Sequence, residues 1–204
     1  MHLIERAPFS GKPIMTVDVD EVMRQFVNRL VDWHNELYKT DYVPGDYLTT
    51  YSLPDLWRCD AEEANRRITL YYETDDACNV EPVPGAIEAL IQLQDHYDLV
   101  VVTSTDWKFD ATIIRWLDHY IPNVFKQVIF TGFWEKSRLT KGDVAKKLGA
   151  VWAIDDMVSN AEDYAVHGVP VIMFGDYFWN RRPLTVDGIQ KASNWQEAYA
   201  ILIK

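Results

Sequence analysis

The stretch Thr16-Val17-Asp18-Val19-Asp20-Glu21-Val22 follows directly on the apolar run Pro13-Ile14-Met15. Together they predict a short buried strand that ends in two carboxylates. Side chains two residues apart on an extended strand lie on the same face, so Asp18 and Asp20 are expected to lie close together. Two like charges at that position are costly unless a cation or a proton lies between them. The simpler alternative is a strand-to-helix turn in which Asp20 caps the helix that follows.

Further along the chain, short β-branched runs alternate with segments of helical periodicity. This alternation predicts an α/β fold, a doubly wound parallel sheet with helices on both faces. Residues 1–12 are expected to form an irregular lead-in. The predicted strands are 13–18, 99–102, 127–130, 151–154 and 170–174, and the predicted helices are 86–96, 109–120, 140–148, 159–167 and 193–203.

Residues 22–84 depart from this alternation. Apolar residues recur every three or four positions between 21 and 38, and 61–73 is rich in Glu, Ala and Arg. Two prolines, Pro82 and Pro84, then return the chain to the alternating pattern. We therefore predict a core formed by 1–21 and 85–204, with a largely helical insert at 22–84.

Composition limits the classes of partner. The 204 residues carry a net charge of −11, which repels a nucleic-acid backbone, so no nucleic-acid polymer is expected as a partner. No apolar run approaches membrane-spanning length and the first residues lack a signal-peptide pattern, so we expect a cytoplasmic protein without a membrane partner. Cys59 and Cys78 are expected to be reduced thiols. The oligomeric state stays open, and a homodimer is among the states the sequence allows.

Polar groups follow most of the predicted strands. The carboxyl ends of parallel strands meet at one edge of the sheet, where ligands bind in such folds. These endings therefore form one candidate pocket. They are Asp18 and Asp20, then Thr103-Ser104-Thr105-Asp106, then Thr131-Gly132, then Asp155-Asp156.

The residue types in this pocket indicate phosphate chemistry. Four carboxylates without neighbouring His or Cys favour Mg²⁺ over zinc as the cofactor, with Asp18, Asp20, Asp155 and Asp156 as candidate ligands. A carboxylate beside a metal-bound phosphate can act as a nucleophile, and a second one can transfer protons. Thr103 and Ser104 suit the phosphoryl oxygens. A lysine is then needed for the developing charge.

Two lysines can fill that role. Lys141 opens the helix before the strand at 151–154, and Lys136 lies in the preceding loop. We favour Lys141, because a helix start fixes a side chain better than a loop does.

These residues, in this order, resemble the motifs of the haloacid dehalogenase-like superfamily of phosphohydrolases. Val17-Asp18-Val19-Asp20-Glu21-Val22 is similar to its first motif, and Val100-Val101-Val102-Thr103 to its second. Lys141 stands where the third motif has its lysine, and Ile154-Asp155-Asp156 resembles the fourth. The resemblance implies a nucleophilic Asp18 and an acid/base Asp20. It also implies Mg²⁺ held by Asp18, the backbone carbonyl of Asp20 and Asp155, with Asp156 bound through water or supporting the loop.

Within that superfamily the chain looks most similar to the 5′(3′)-deoxyribonucleotidases. The string Glu81-Pro82-Val83-Pro84-Gly85-Ala86-Ile87-Glu88-Ala89 resembles the family's return from its small cap to the core. The resemblance makes the helical insert that cap and implies that Phe26 stacks on the nucleobase, although a Phe on a helical apolar stripe also suits a core. There are two departures: Glu21 stands where glycine is usual, and 131–140 is longer than in the animal enzymes.

The resulting expectation is a Mg²⁺-dependent phosphomonoesterase that acts on a nucleoside monophosphate. A phosphatase for a sugar phosphate or another small metabolite shares the same core chemistry and is the first alternative. A phospho-acceptor receiver module is the second, although receivers lack a helical insert after the first strand. A catalytically silent binding protein is the third.

Overall fold

The computed structural model describes residues 2–45, 53–132 and 139–204. These residues form a seven-stranded sheet with the strand order β1-β4-β3-β2-β5-β6-β7. All neighbouring strands are parallel except β1, which pairs antiparallel with β4. The strands are β1 (His2–Glu5), β2 (Ile14–Val17), β3 (Asp98–Thr103), β4 (Phe125–Phe130), β5 (Ala150–Asp155), β6 (Val171–Phe174) and β7 (Ile189–Ala192).

Helices connect the parallel strands, which confirms the predicted α/β fold. The α-helices among the described residues are α1 (Phe26–Tyr38), α2 (Leu53–Trp57), α3 (Ala61–Tyr72), α4 (Ala86–Leu93), α5 (Asp110–Tyr120), α6 (Lys141–Leu148), α7 (Val158–Val166) and α8 (Trp195–Leu202). Short 3-10 turns occupy Asp75–Cys78, Trp107–Phe109 and Phe178–Asn180. None of the helices described is both long and apolar enough to cross a membrane.

Both faces of the sheet are buried. On one face Leu99 and Val101 pack into a large cluster that includes α4, α5 and α8. On the other face Val100 and Val102 pack with Val144 of α6, and residues of β5 and β6 pack with α7. This alternation along β3 explains why its run of apolar residues is unbroken, since a parallel strand covered on both sides has no polar face.

The central strand β2 determines where the site lies. Its last residue, Val17, pairs with Val101 of β3 on one side and Ile154 of β5 on the other. The chain runs outward from β2 to β3 and β4, and later returns to the opposite side as β5. This is the topological switch point of a doubly wound sheet, where a crevice opens beyond the strand ends.

Helices α1 to α3 lie between β2 and β3 in the sequence, within the predicted insert. Their aromatic side chains pack on one another: the His34 ring stacks on Trp57 with centroids 4.6 Å apart and on Tyr38 at the same distance. His34 Nδ1 lies 2.9 Å from Thr40 Oγ1 and Nε2 lies 3.1 Å from an Arg67 nitrogen. Burial and the Arg67 charge lower the pKa of His34 to about 4, so the ring is neutral inside this packing.

Three predictions about the elements are wrong. The expected irregular lead-in contains β1, a four-residue edge strand whose half-exposed alternation was too short to stand out. The first helix begins at Phe26 and not at Glu21, because 21–24 form a turn with Glu21 at φ +60°. The strand β7 was missed, since Gln190 and Lys191 leave it without an apolar run.

Candidate active site

The side chains predicted from the strand endings meet beyond the carboxyl ends of β2, β3 and β5. Asp18 directly follows β2, and its backbone N–H donates to the Ile154 carbonyl at 3.1 Å, which extends the pairing with β5. Thr103 ends β3 and Asp155 ends β5. The three residues are buried, so the sheet register brings them together as expected.

Lys141 is the cation at the centre of this cluster. Its side chain is 3% exposed, and Nζ lies 2.7 Å from Asp18 Oδ2 and 2.7 Å from Asp155 Oδ2. Thr140 caps α6 through a capping box with Asp143, which fixes the helix start that carries the lysine. The structure thus places Lys141 where the sequence favoured it, while Lys136 lies outside the described residues.

Close packing of α6 on α7 depends on the next residue, Gly142. A Cβ atom there would lie 2.6 Å from the Asp163 carbonyl oxygen and from His167 Nδ1. The Gly142 N–H instead donates to Asp163 Oδ2 at 2.6 Å. Glycine therefore lets the first turn of α6 approach α7 closely, and this sets the depth at which Lys141 is buried.

Burial shifts the pKa values of the clustered groups. Desolvation raises the pKa of Asp18 to about 7; the Lys141 ammonium opposes this and the Asp155 charge adds to it. Desolvation, followed by repulsion from Asp155 and Asp18, raises the pKa of Asp156 well above its usual range. Burial alone would lower the pKa of Lys141, but Asp155 and Asp18 raise it well above its usual range. The pocket therefore holds more carboxyl groups than one lysine can balance as carboxylates.

That excess fits a hard cation. Asp18, Asp155 and Asp156 each offer a carboxylate oxygen, and these oxygens lie within 4.8 Å of one another. A purely carboxylate donor set suits Mg²⁺ and not zinc. The residues present therefore fit the metal that the motifs imply.

The two carboxylates at the end of β5, Asp155 and Asp156, have different surroundings. Asp155 is fully buried: Oδ2 accepts from Lys141, and Oδ1 accepts from the Met157 N–H at 3.0 Å and Asn160 Nδ2 at 2.9 Å. Asp156 lines the cavity, and within the described part of the chain Oδ2 accepts a hydrogen bond from Trp179 Nε1 at 2.7 Å. Asp155 is thus tied to the protein, whereas Asp156 keeps an oxygen directed to the site.

Thr103 and Ser104 lie where β3 ends, at the floor of the cavity. Thr103 Oγ1 accepts from the Thr105 N–H at 3.1 Å and lies 2.9 Å from Thr105 Oγ1. This small turn holds the hydroxyl in the cavity that Asp18 also lines. Such groups are suited to phosphoryl oxygens.

Asp20 lies apart from the three clustered carboxylates. Its side chain is 27% exposed, lines the cavity and forms an ion pair with Arg24, whose Nε donates to Oδ1 at 2.6 Å. The alternative in which Asp20 caps the first helix is wrong, because α1 begins six residues later with Gln25 at its N-cap.

A cavity of about 580 Å³ connects these polar groups to the insert. Its floor is the site just described, and its wall comes largely from apolar side chains of α1 to α3. Phe26 lines this wall while its ring contacts Tyr71 and Tyr72, at centroid distances of 5.6 and 5.8 Å. Phe26 therefore belongs both to the packed core and to the cavity surface. Other apolar lining residues are Val27, Leu30, Leu56, Ile68 and Phe109.

Sequence reasoning missed two polar contacts in the site. Arg24 is fully buried although it lies in an unremarkable stretch, and Trp179, which lies beyond the last predicted strand, donates to Asp156. Trp179 and Asp156 are 23 residues apart, a separation that no local pattern reveals, whereas Arg24 and Asp20 have i,i+4 spacing. The available signals were the i,i+4 spacing of Asp20 and Arg24 and the position of Trp179 in the segment that follows β6.

The structure shows how a glutamate at position 21 is accommodated where glycine is usual. The residue adopts φ +60°, a left-handed conformation that glycine enters most easily. Its buried carboxylate accepts from the Val27 N–H at 2.7 Å, where the N-cap residue Gln25 makes no side-chain bond. Burial raises the pKa of Glu21 to about 8. The side chain thus caps α1 and compensates for the strained backbone.

A family model described as "5' nucleotidase, deoxy (Pyrimidine), cytosolic type C protein" matches residues 12–204. The chain belongs to this nucleotidase family. Membership makes it a phosphoric monoester hydrolase of the haloacid dehalogenase-like class, which confirms the resemblance drawn from the four motifs. Its substrate is therefore a small phosphate ester.

Solved structures of other haloacid dehalogenase-like proteins share the nucleotidase's fold. A hydrolase of this class from Streptococcus pneumoniae is 13% identical with a TM-score of 0.67, covering 95% of this chain and 99% of that chain. A predicted phosphoglycolate phosphatase from Haemophilus somnus is 15% identical with a TM-score of 0.68, at the same coverages. A Bacillus subtilis hydrolase whose structure contains magnesium is 15% identical with a TM-score of 0.63, again covering 95% and 99%. A comparison with curated proteins gives no significant match.

Proposed function

We propose that this nucleotidase hydrolyses nucleoside monophosphates to the nucleoside and inorganic phosphate, with Mg²⁺ as its cofactor. The observation that carries the proposal is the cavity itself. A lysine-bridged carboxylate site forms one end and an apolar wall with aromatic rings forms the other. Such a space suits a ligand with one phosphate and a flat, largely uncharged body.

In the proposed reaction, a carboxylate oxygen of Asp18 attacks phosphorus in line with the ester oxygen. The bond from phosphorus to that oxygen breaks, and Asp20 gives its proton to the leaving alkoxide. Asp20 then takes a proton from water, whose oxygen attacks the phosphorus of the aspartyl phosphate. Inorganic phosphate leaves and Asp18 is regenerated.

Lys141, Thr103 and Ser104 hold the phosphoryl group in this scheme. The Lys141 ammonium, fixed between Asp18 and Asp155, offsets charge on the phosphoryl oxygens as it develops. The Thr103 and Ser104 end of β3 supplies hydroxyl and amide donors on the cavity floor.

The metal would be held by Asp18, Asp156 and the backbone carbonyl of Asp20. When bound, Mg²⁺ neutralises negative charge and orients the phosphate. The motifs gave the direct role to Asp155, but its oxygens already accept bonds from Lys141, Met157 and Asn160. We therefore assign direct ligation to Asp156 and give Asp155 the task of positioning Lys141.

A panel of phosphate monoesters tests the substrate class. Nucleoside monophosphates are expected to be turned over with Mg²⁺ more efficiently than sugar phosphates, because a sugar would leave the apolar wall without a partner. Phe26→Ala should raise KM for nucleotides by about 10-fold, the value of one lost ring contact.

The matched control is Leu37→Ala, since Leu37 is exposed on the same helix α1. It should leave KM unchanged. Efficient turnover of sugar phosphates with KM insensitive to Phe26→Ala would refute the nucleotide assignment and favour the sugar-phosphate alternative.

A further inference from the structure

Arg24 is a buried charge that the reaction above does not use. Its side chain is fully buried, and each end of the guanidinium is bonded. Nε donates to Asp20 Oδ1 at 2.6 Å, one terminal nitrogen to the Ala77 carbonyl at 3.1 Å and the other to the Tyr72 hydroxyl at 3.3 Å. Burying a guanidinium is costly unless its donors are satisfied, so this position is strongly defined.

The contacts of Arg24 join two parts of the molecule. Asp20 belongs to the loop after β2, whereas Tyr72 ends α3 and Ala77 lies in the turn that follows. The Arg24 backbone also bridges to Pro82, where the chain leaves the insert. The orientation of Asp20 is therefore tied to the placement of the insert.

The ion pair determines which Asp20 oxygen faces the cavity. Oδ1 accepts a hydrogen bond from Arg24 Nε. Oδ2 lies 3.5 Å from Thr105 Oγ1, which is a long and weak hydrogen bond. A planar guanidinium fixes a carboxylate more precisely than a lysine ammonium does. Only Oδ2 then remains for proton exchange with a ligand in the cavity.

We propose that Arg24 is a positioning residue that orients Asp20 Oδ2 toward the leaving-group oxygen. Because Arg24 also contacts the insert, this orientation depends on the insert being packed in its observed place. The inference rests on the proposed acid role of Asp20. Arg24 does not line the cavity, so its removal should affect the proton transfers made by Asp20 and leave the attack by Asp18 largely intact.

The test compares two leaving groups in single-turnover reactions with enzyme in excess, which report phosphoryl transfer to Asp18 alone. One ester is the alkyl phosphate with the highest turnover in the panel, whose alkoxide needs a proton. The other is p-nitrophenyl phosphate, whose phenolate leaves without one. Arg24→Met should slow release of the alkyl alcohol by about 100-fold, which is the rate contribution of a positioned general acid. Release of nitrophenol should slow only a few-fold.

Two further variants keep the result interpretable. Arg24→Lys retains a buried cation without the planar fork, and a smaller loss with the same preference for the alkyl ester is expected. Arg29→Met is the matched control, because Arg29 also pairs with an insert carboxylate, Asp76, but does not contact Asp20. It should slow both esters equally or not at all.

Equal losses for the two esters in both Arg24 variants would show a purely structural role and overturn the inference, as would unchanged rates. Asp20→Asn, measured in parallel, separates this failure from a failure of the proposed function. If Asp20→Asn itself shows no preference between leaving groups, the acid role of Asp20 is wrong. If it shows the preference and the Arg24 variants do not, only the inference about Arg24 fails.

Discussion

Asp18→Asn is expected to reduce hydrolysis of every phosphate monoester by at least about three orders of magnitude, since removing a covalent nucleophile eliminates the reaction path. The amide keeps the size of the carboxylate and its place beside Lys141. Fold and thermal stability should therefore be retained, and steady-state release of inorganic phosphate is the measurement.

The control for this change is Asp176→Asn. Asp176 pairs with Arg181 on the surface and lies outside the cavity. It should leave turnover within the range of the unaltered protein. Comparable turnover by Asp18→Asn and Asp176→Asn would show that Asp18 is not the nucleophile.

Lys141→Met is expected to reduce both stability and activity. It leaves Asp18 and Asp155 without their shared cation in a buried site, and breaking a buried ion pair costs about 3–5 kcal/mol. Turnover should fall by about 100-fold or more, because the charge on the phosphoryl oxygens loses its counterion. Urea unfolding without divalent metal measures the first effect, and initial rates measure the second.

The stability loss should also depend on pH. Without the ammonium, which lowers both values, the already raised pKa values of Asp18 and Asp156 rise further in the folded state. The folded variant then binds more protons than the unfolded chain, so its deficit should grow as the pH rises above about 4. Lys146→Met on the exposed side of the same helix should show neither effect. A pH-independent deficit shared by both variants would contradict the account.

The sequence predicted the parts of this site that depend on strand ends. Asp18, Thr103 and Asp155 each follow an apolar run, and parallel pairing must bring such ends to one edge of the sheet. Lys141 was favoured because it opens a helix, and in the structure a capping box between Thr140 and Asp143 fixes that helix start. Local pattern and global fold agree at these positions.

The rest depends on contacts that sequence distance hides. The pairing of Trp179 with Asp156 and of Arg24 with Tyr72 is decided by how loops fold back on the sheet. The position at which α1 begins was also hidden from the sequence. The Glu21 side chain caps this helix because the backbone at Glu21 adopts a left-handed turn. The proposed preference for Asp156 over Asp155 as the metal ligand likewise rests on their hydrogen-bond partners.

The covalent step through Asp18 can be tested directly in Asp20→Asn, which keeps the nucleophile and lacks the group that activates water. With p-nitrophenyl phosphate and Mg²⁺, the account predicts a burst of nitrophenol equal to the enzyme concentration. Acid quenching followed by peptide mass analysis should then locate a phosphoryl group on Asp18. Continued turnover of this variant without a burst, or a phosphoryl group on any other residue, would contradict the mechanism.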